Sequence, residues 1–158
     1  MRRTALTVAC LLFVTFPLGA QSDPPRLIVL VVVDQMRADY IGRFQHQWTS
    51  GLQRLLDDGA WFRQAAYPYF QTNTCVGHAT ISTGSLPEAH GIIGNNWYDR
   101  DEGRLRACAD DANSLLVSYG DPVEAALGPG SLMMPTLSDE LRTQAAARVV
   151  SLSMKPRV

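Results

Sequence analysis

Leu27-Ile-Val-Leu-Val-Val-Val33 runs without interruption into Asp34. A continuous, largely β-branched apolar run of this kind reads as a strand buried on both faces. That pattern favours a parallel sheet inside an α/β domain. Asp34 then stands at the carboxyl edge of the sheet, where ligands gather in open α/β folds. A carboxylate there suits a divalent metal. Taken alone, an Asp after a hydrophobic strand is more often the cap of a helix, here one beginning near Arg37.

Upstream of the run, Gln21 to Pro25 is a polar, proline-containing lead-in. Before it, Arg2 and Arg3 precede the apolar segment Ala5 to Phe16, and Pro17-Leu-Gly-Ala20 ends in a small residue. This is the pattern of a secretory signal peptide cleaved after Ala20. The apolar stretch falls short of the ~20 residues that span a bilayer, so no stable membrane anchor is expected. Cys10 lies inside the apolar segment and does not mark a lipoprotein. The expected organisation is therefore a signal peptide, residues 1–20, followed by one domain, residues 21–158, in a periplasmic or secreted protein. Export permits a disulfide between the two remaining cysteines, Cys75 and Cys108, although two buried thiols fit the sequence as well.

Downstream, Arg37 to Phe44 reads as a short helix. Ser50 stands where it can cap a second one, in which Leu52, Leu55 and Leu56 recur at helical spacing and Gly59 supplies a stop. Ala60 to Phe70 reads as extended, with a break at Pro68. Thr72 to Gly84 reads as a turn running into a short helix near Gly77. Asn95 to Arg100 and Arg104 to Cys108 flank Asp101-Glu-Gly103, which predicts a β-hairpin. Asp110 to Gly130 is loop-like. Thr136 and Asp139 have the spacing of a capping box for a helix reaching about Ala146. Val149 to Met154 reads as a second strand, completing the ingredients of a βαβ unit. A net charge of −1 gives no electrostatic reason to expect a nucleic-acid partner. With 18% charged and 46% hydrophobic residues, the composition is that of a globular chain.

Four places carry chemistry. Asp34 is the first. Thr74, in Thr72-Asn-Thr-Cys-Val-Gly-His78, lies just ahead of a predicted helix start, where free N–H groups and the helix dipole favour anions. A threonine hydroxyl attacks only when a metal or base activates it. By spacing alone the helix cap is the stronger reading of Thr74. Asn95 follows Gly94 and can offer its amide to a phosphoryl oxygen or serve in a turn. Lys155-Pro-Arg157 follows the second expected strand, where a point charge and a guanidinium fork can bind phosphate or stay solvated.

Read together, these segments resemble a known family. Val33-Asp34-Gln35-Met36-Arg37, Thr74-Cys-Val-Gly-His78 and Thr83 to Arg100 are similar to the phosphate-irrepressible alkaline phosphatases. Those group with the type I phosphodiesterases and nucleotide pyrophosphatases. The resemblance runs from about Leu27 to Arg157 and is gap-free from Thr74 to Arg100. It implies an alkaline-phosphatase-like α/β core with a mainly parallel sheet flanked by helices. It also implies two zinc ions as cofactors, with Asp34 as a metal ligand and Thr74 as both nucleophile and ligand. Asn95 would bond a phosphoryl oxygen. Lys155 and Arg157 would contact the phosphoryl group as in the monoesterase-type members, so small-molecule phosphate esters are the expected substrates. His78 and His90 fall where the family places no metal ligands and are expected to be structural, bonded to backbone. His46 is expected at the surface.

Members of this family are several times longer, and their further Asp and His ligands lie outside the matched segments. This chain is thus expected to be the N-terminal part of a catalytic domain, inactive by itself. Two alternatives follow from the same residues: a phosphodiesterase or nucleotide pyrophosphatase on the same core, and a non-catalytic secreted binding domain.

Overall fold

A computed structural model of the chain describes residues 25–114 and 127–155. The expected signal peptide, the middle of the Asp110–Gly130 loop and Arg157 lie outside the described residues. The chain divides into two units, Met1–Val33 and Asp34–Val158. In the first, Leu27 to Val33 is not a strand: it forms no ladder, and its side chains are 37–77% exposed. Val149 to Met154, in the second unit, is likewise unpaired, with Leu152 91% exposed. The expected parallel sheet is therefore absent among the described residues, whose named strands make a two-stranded antiparallel sheet. The physical reason is that a strand's N–H and C=O groups need a neighbouring ladder. Apolar patterning declares readiness for burial but brings no partner with it.

The second unit opens with α1 (Tyr40–Arg43), a single 3₁₀ turn (Gln45–Gln47) and α2 (Gly51–Asp58). The Trp48 indole N–H donates to the Ile41 carbonyl at 2.9 Å, tying the 3₁₀ turn back onto α1. Ser50 occupies the N-cap position of α2, as its sequence suggests, but its side chain makes no capping bond. Gly59 ends α2 with φ −100°, outside the left-handed region. Its role is space, because a Cβ there would strike the Leu55 carbonyl oxygen. Residues 60–70 contain turns and bends, with no strand.

α3 (Thr74–Thr83) begins at Thr74 itself, with Asn73 as the N-cap residue, so Thr74 lies inside the helix rather than ahead of it. The helix closes on Gly84. The short α4 (Pro87–His90) follows, started by Pro87 and ended by Gly91 at φ 80°. Gly91 suits the left-handed turn, which disfavours a side chain; a Cβ there would also lie 2.7 Å from the Met133 sulfur, so that side chain would have to shift.

The expected hairpin forms. β1 (Asn96–Asp99) pairs antiparallel with β2 (Arg104–Ala107), with Trp97 opposite Arg106 and Tyr98 opposite Leu105. Asp99 shapes the turn by accepting the N–H groups of Asp101 and Glu102. α5 (Leu137–Ala145) opens on the predicted capping box: Thr136 Oγ1 accepts from the Asp139 amide at 3.2 Å, and Asp139 Oδ2 accepts the Thr136 amide at 2.8 Å.

A small core gathers Cys75, Val76 and Ala79 of α3 with Ile92, Cys108 and Ala109. Tyr69, Trp97, Leu127 and Leu132 pack around it. Cys75 and Cys108 are joined in a disulfide with a Cα–Cα distance of 6.4 Å, resolving the choice that the sequence left open. The core thus welds the first turn of α3 to the end of the hairpin.

Candidate active site

The first turn of α3 organises the site. Thr74 is its first residue, and the N-cap Asn73 supplies no side-chain bond. Free N–H groups at that end therefore look elsewhere for acceptors. One is met from a distance in sequence: the Cys75 N–H donates to Asn95 Oδ1 at 3.0 Å. A backbone amide can only donate, so this fixes which end of the Asn95 amide faces the helix. The Nδ2 group, with two hydrogens, is left for another acceptor. Asn95 is held on its main chain as well, its carbonyl accepting the Cys108 N–H at 3.0 Å. Thr74 and Asn95, drawn from separate motifs, are thereby neighbours.

His78 sits one turn along α3. Its Nδ1 lies 2.7 Å from the Thr74 carbonyl, which only accepts, so Nδ1 carries the proton. This is the backbone bond expected of a structural histidine. Nε2 is buried and meets no hydrogen-bond partner among the described residues.

Asp34 and Lys155 meet across 121 residues of sequence, Nζ to Oδ2 at 2.9 Å. The Lys155 hydrogen bond holds the Asp34 carboxyl below its usual range. Desolvation opposes this, and the charges of Lys155 and His78 add to the depression. Asp34 thus keeps its anionic form and lies within electrostatic reach of the His78 ring. No hydrogen bond joins Asp34 directly to Thr74 among the described residues. Arg157 lies outside them, and His46 is exposed, beside Gln47.

His90 is fully buried. Its Nδ1 accepts the Ile92 N–H at 3.1 Å, which leaves the proton on Nε2, 3.1 Å from Thr80 Oγ1. The Tyr69 hydroxyl donates to the same Thr80 oxygen at 2.7 Å. Burial pushes the His90 pKa below its ordinary value. This network fastens α3 to α4, which is a structural role.

The metal donors fall short of a closed site. Asp34 is already engaged by Lys155. No three His, Cys, Asp or Glu side chains converge among the described residues. A catalytic zinc site takes three protein ligands and a structural one four. The donor set present here does not fit a complete zinc site.

The two contributors that spacing could not reveal are the Cys75 and Cys108 backbone amides. Their only sequence signal is the pair of cysteines flanking Asn95.

Residues 28–146 match the type I phosphodiesterase / nucleotide pyrophosphatase family. The chain belongs to that family. Asp34, Thr74 and Asn95 fall within the matched span of this phosphodiesterase-family chain, while Lys155 falls beyond it. The chain is 40% identical over 136 residues to alkaline phosphatase PhoV of Synechococcus elongatus, covering 84% of this chain and 24% of that protein. It is 42% identical over 140 residues to alkaline phosphatase PhoK of a Sphingomonas species, covering 86% of this chain and 24% of that protein. Venom phosphodiesterase 2 of Crotalus adamanteus is 39% identical over 88 residues, covering 52% of this chain and 10% of that protein. The chain thus spans about a quarter of the length of the alkaline phosphatases it matches. No helix among the described residues is long and apolar enough to cross a membrane.

Proposed function

We propose that this chain carries the nucleophile-bearing part of an exported, metal-dependent phosphatase that hydrolyses phosphate monoesters through a phosphothreonine on Thr74. The observation that carries the reading is the juxtaposition of Thr74, first residue of α3, with the Asn95 amide that is anchored on the next residue's N–H. A helix N-terminus favours a phosphoryl anion through its free N–H groups and dipole.

In this reading Thr74 Oγ1 attacks phosphorus in line with the ester oxygen. The Oγ1–P bond forms, the P–O ester bond breaks, and the alcohol departs with a proton. Water then cleaves the phosphothreonine and releases inorganic phosphate. The non-bridging oxygens face Asn95 Nδ2 and the first turn of α3, with Lys155 and Arg157 supplying positive charge. Such fixed donors act where charge develops and need no reorganisation as the reaction proceeds. The two zinc ions implied by the resemblance are proposed as cofactors of the full-length protein, with Asp34 and Thr74 as this chain's contribution to them. Bound to the hydroxyl, a metal would lower its pKa and make it a competent nucleophile. The mainly parallel sheet, with Leu27–Val33 and Val149–Met154 among its strands, is proposed for the full-length protein as well.

Preference for monoesters over diesters is supported by the extent of the likenesses. The alkaline phosphatases match 84–86% of the chain, the venom phosphodiesterase 52%. A monoester dianion also gains more from Lys155 and Arg157 than a diester monoanion does. The test is turnover of an aryl phosphate and its methyl-capped diester by the full-length protein. Thr74→Ala is expected to abolish both, and Lys155→Ala and Arg157→Ala to erode the monoester rate selectively. Faster turnover of the diester would move the assignment to the phosphodiesterases. Unchanged turnover by Thr74→Ala would remove the nucleophile.

A further inference from the structure

We propose that the Cys75–Cys108 disulfide is a positioning device that sets the Asn95 amide beside Thr74. This deepens, and rests on, the assignment of Asn95 as a phosphoryl donor.

The argument is one of connectivity. Cys75 directly follows Thr74, and its N–H is bonded to the Asn95 side chain. Cys108 directly follows β2, and its N–H is bonded to the Asn95 main chain. The two cysteines that hold Asn95 through their amides are the same two that are joined to each other. A closed ring results: Asn95 carbonyl, Cys108, the S–S bond, Cys75, Asn95 Oδ1. A disulfide placed for stability alone can join any two points of a suitable loop. This one ends on both of the residues that fix Asn95.

The ring also fixes a direction. With Oδ1 committed to α3 and the carbonyl committed to the hairpin, neither torsion of the Asn95 side chain can turn without breaking a bond. Nδ2 is thereby held as the donating end of the side chain, with Oδ1 fixed on the residue next to Thr74. If the S–S bond is opened, the end of the hairpin is tethered to α3 only through packing and amide bonds. The donor then samples positions around its productive one. Displacement of a reacting or stabilising group by about 1 Å can cost on the order of 100-fold in rate. Both cysteines are buried, at 5% and 8% exposure, so the bond is shielded as a permanent brace needs to be.

The test is a double-mutant comparison in the full-length protein, read as kcat and KM on an aryl phosphate. Cys75→Ala with Cys108→Ala is expected to lower kcat about 10- to 100-fold while changing KM by less than about 3-fold. In an Asn95→Ala background the same cysteine pair is expected to change kcat less than about 2-fold, because the group it positions is gone. A fall in kcat of equal size in both backgrounds would overturn the proposal, as would no fall in either. If Asn95→Ala alone left kcat at the wild-type value, the donor assignment would fail, and the positioning role with it. Should the cysteine variant not fold, the comparison is made on protein folded with the bond intact and then reduced by a phosphine. A kcat loss confined to protein that retains Asn95, and absent from Asn95→Ala, supports the brace, and equal loss or none overturns it.

Discussion

Replacing Asn95 in two ways separates its two jobs. Its Oδ1 accepts the Cys75 N–H at 3.0 Å at the start of α3, and its Nδ2 is the proposed phosphoryl donor. Asn95→Ala removes both. Losing a side-chain acceptor at a helix N-terminus costs about 1–2 kcal/mol, which includes leaving the amide poorly satisfied. At 1.4 kcal/mol per factor of ten, the Cys75 amide should exchange its hydrogen about 5- to 30-fold faster. Asn95→Asp keeps an acceptor oxygen, and its charge is favourable at that helix end by about 0.3–1 kcal/mol. Exchange at Cys75 should then be unchanged or slower. Turnover should behave differently, since both variants lose the donor. Each should lose about 100- to 1,000-fold in kcat, the range for one preorganised hydrogen-bond donor, with the aspartate the worse because it repels the phosphoryl oxygens. Amide exchange read at Cys75, alongside steady-state kinetics of the full-length protein, gives both quantities. Unaltered exchange in Asn95→Ala would refute the clasp on α3, and wild-type turnover in Asn95→Asp would refute the donor.

Three further outcomes are expected. Lys155→Ala removes the hydrogen bond that depresses the Asp34 carboxyl. Its titration, followed by carboxyl NMR, should move upward, and with it the pH below which the Asp34 contribution to stability is lost; an unmoved titration would show that the pair does not form in solution. His90 has its pKa depressed by burial, so the folded state resists its protonation. Stability should therefore be complete above the unfolded imidazole value of about 6.5, fall as pH drops from there through the depressed value, and level off below it. Melting temperatures compared between pH of about 7.5 and 5.5 should fall more in wild type than in His90→Gln, and equal falls would contradict this. Thr136→Ala deletes one half of the capping box of α5. It should cost about 0.5–2 kcal/mol locally, seen as faster amide exchange at Asp139 with little change elsewhere.

The features legible in the sequence are those decided within a few residues. The capping box of α5 needs only Thr136 and Asp139, and the hairpin needs two short strands around Gly103. α3 needs a run of small helical residues stopped by Gly84. In each case the turn chemistry names its own partners, and the structure follows it. The family was also legible, because the block from Thr74 to Arg100 is long enough to be specific. Tertiary pairings were not. Leu27–Val33 and Val149–Met154 carry the apolar character of buried strands, yet a strand exists only against a ladder, and none meets them among the described residues. Asp34 and Lys155 are 121 residues apart, and neither predicts the other. The clasp on Asn95 depends on two backbone amides, which have no residue type to betray them. The cysteines allowed a disulfide but could not show that their backbones came within its reach.

The central claim, that Thr74 is the group that takes the phosphoryl from substrate, is tested most directly by trapping. The full-length protein would be quenched in acid during turnover of an aryl phosphate, digested and sequenced by mass spectrometry. The account predicts one added phosphoryl group on the peptide bearing Thr74, located on that residue and missing from Thr74→Ala. A phosphoryl group found on a different side chain, or a Thr74→Ala protein that turns over substrate at the wild-type rate, would contradict it.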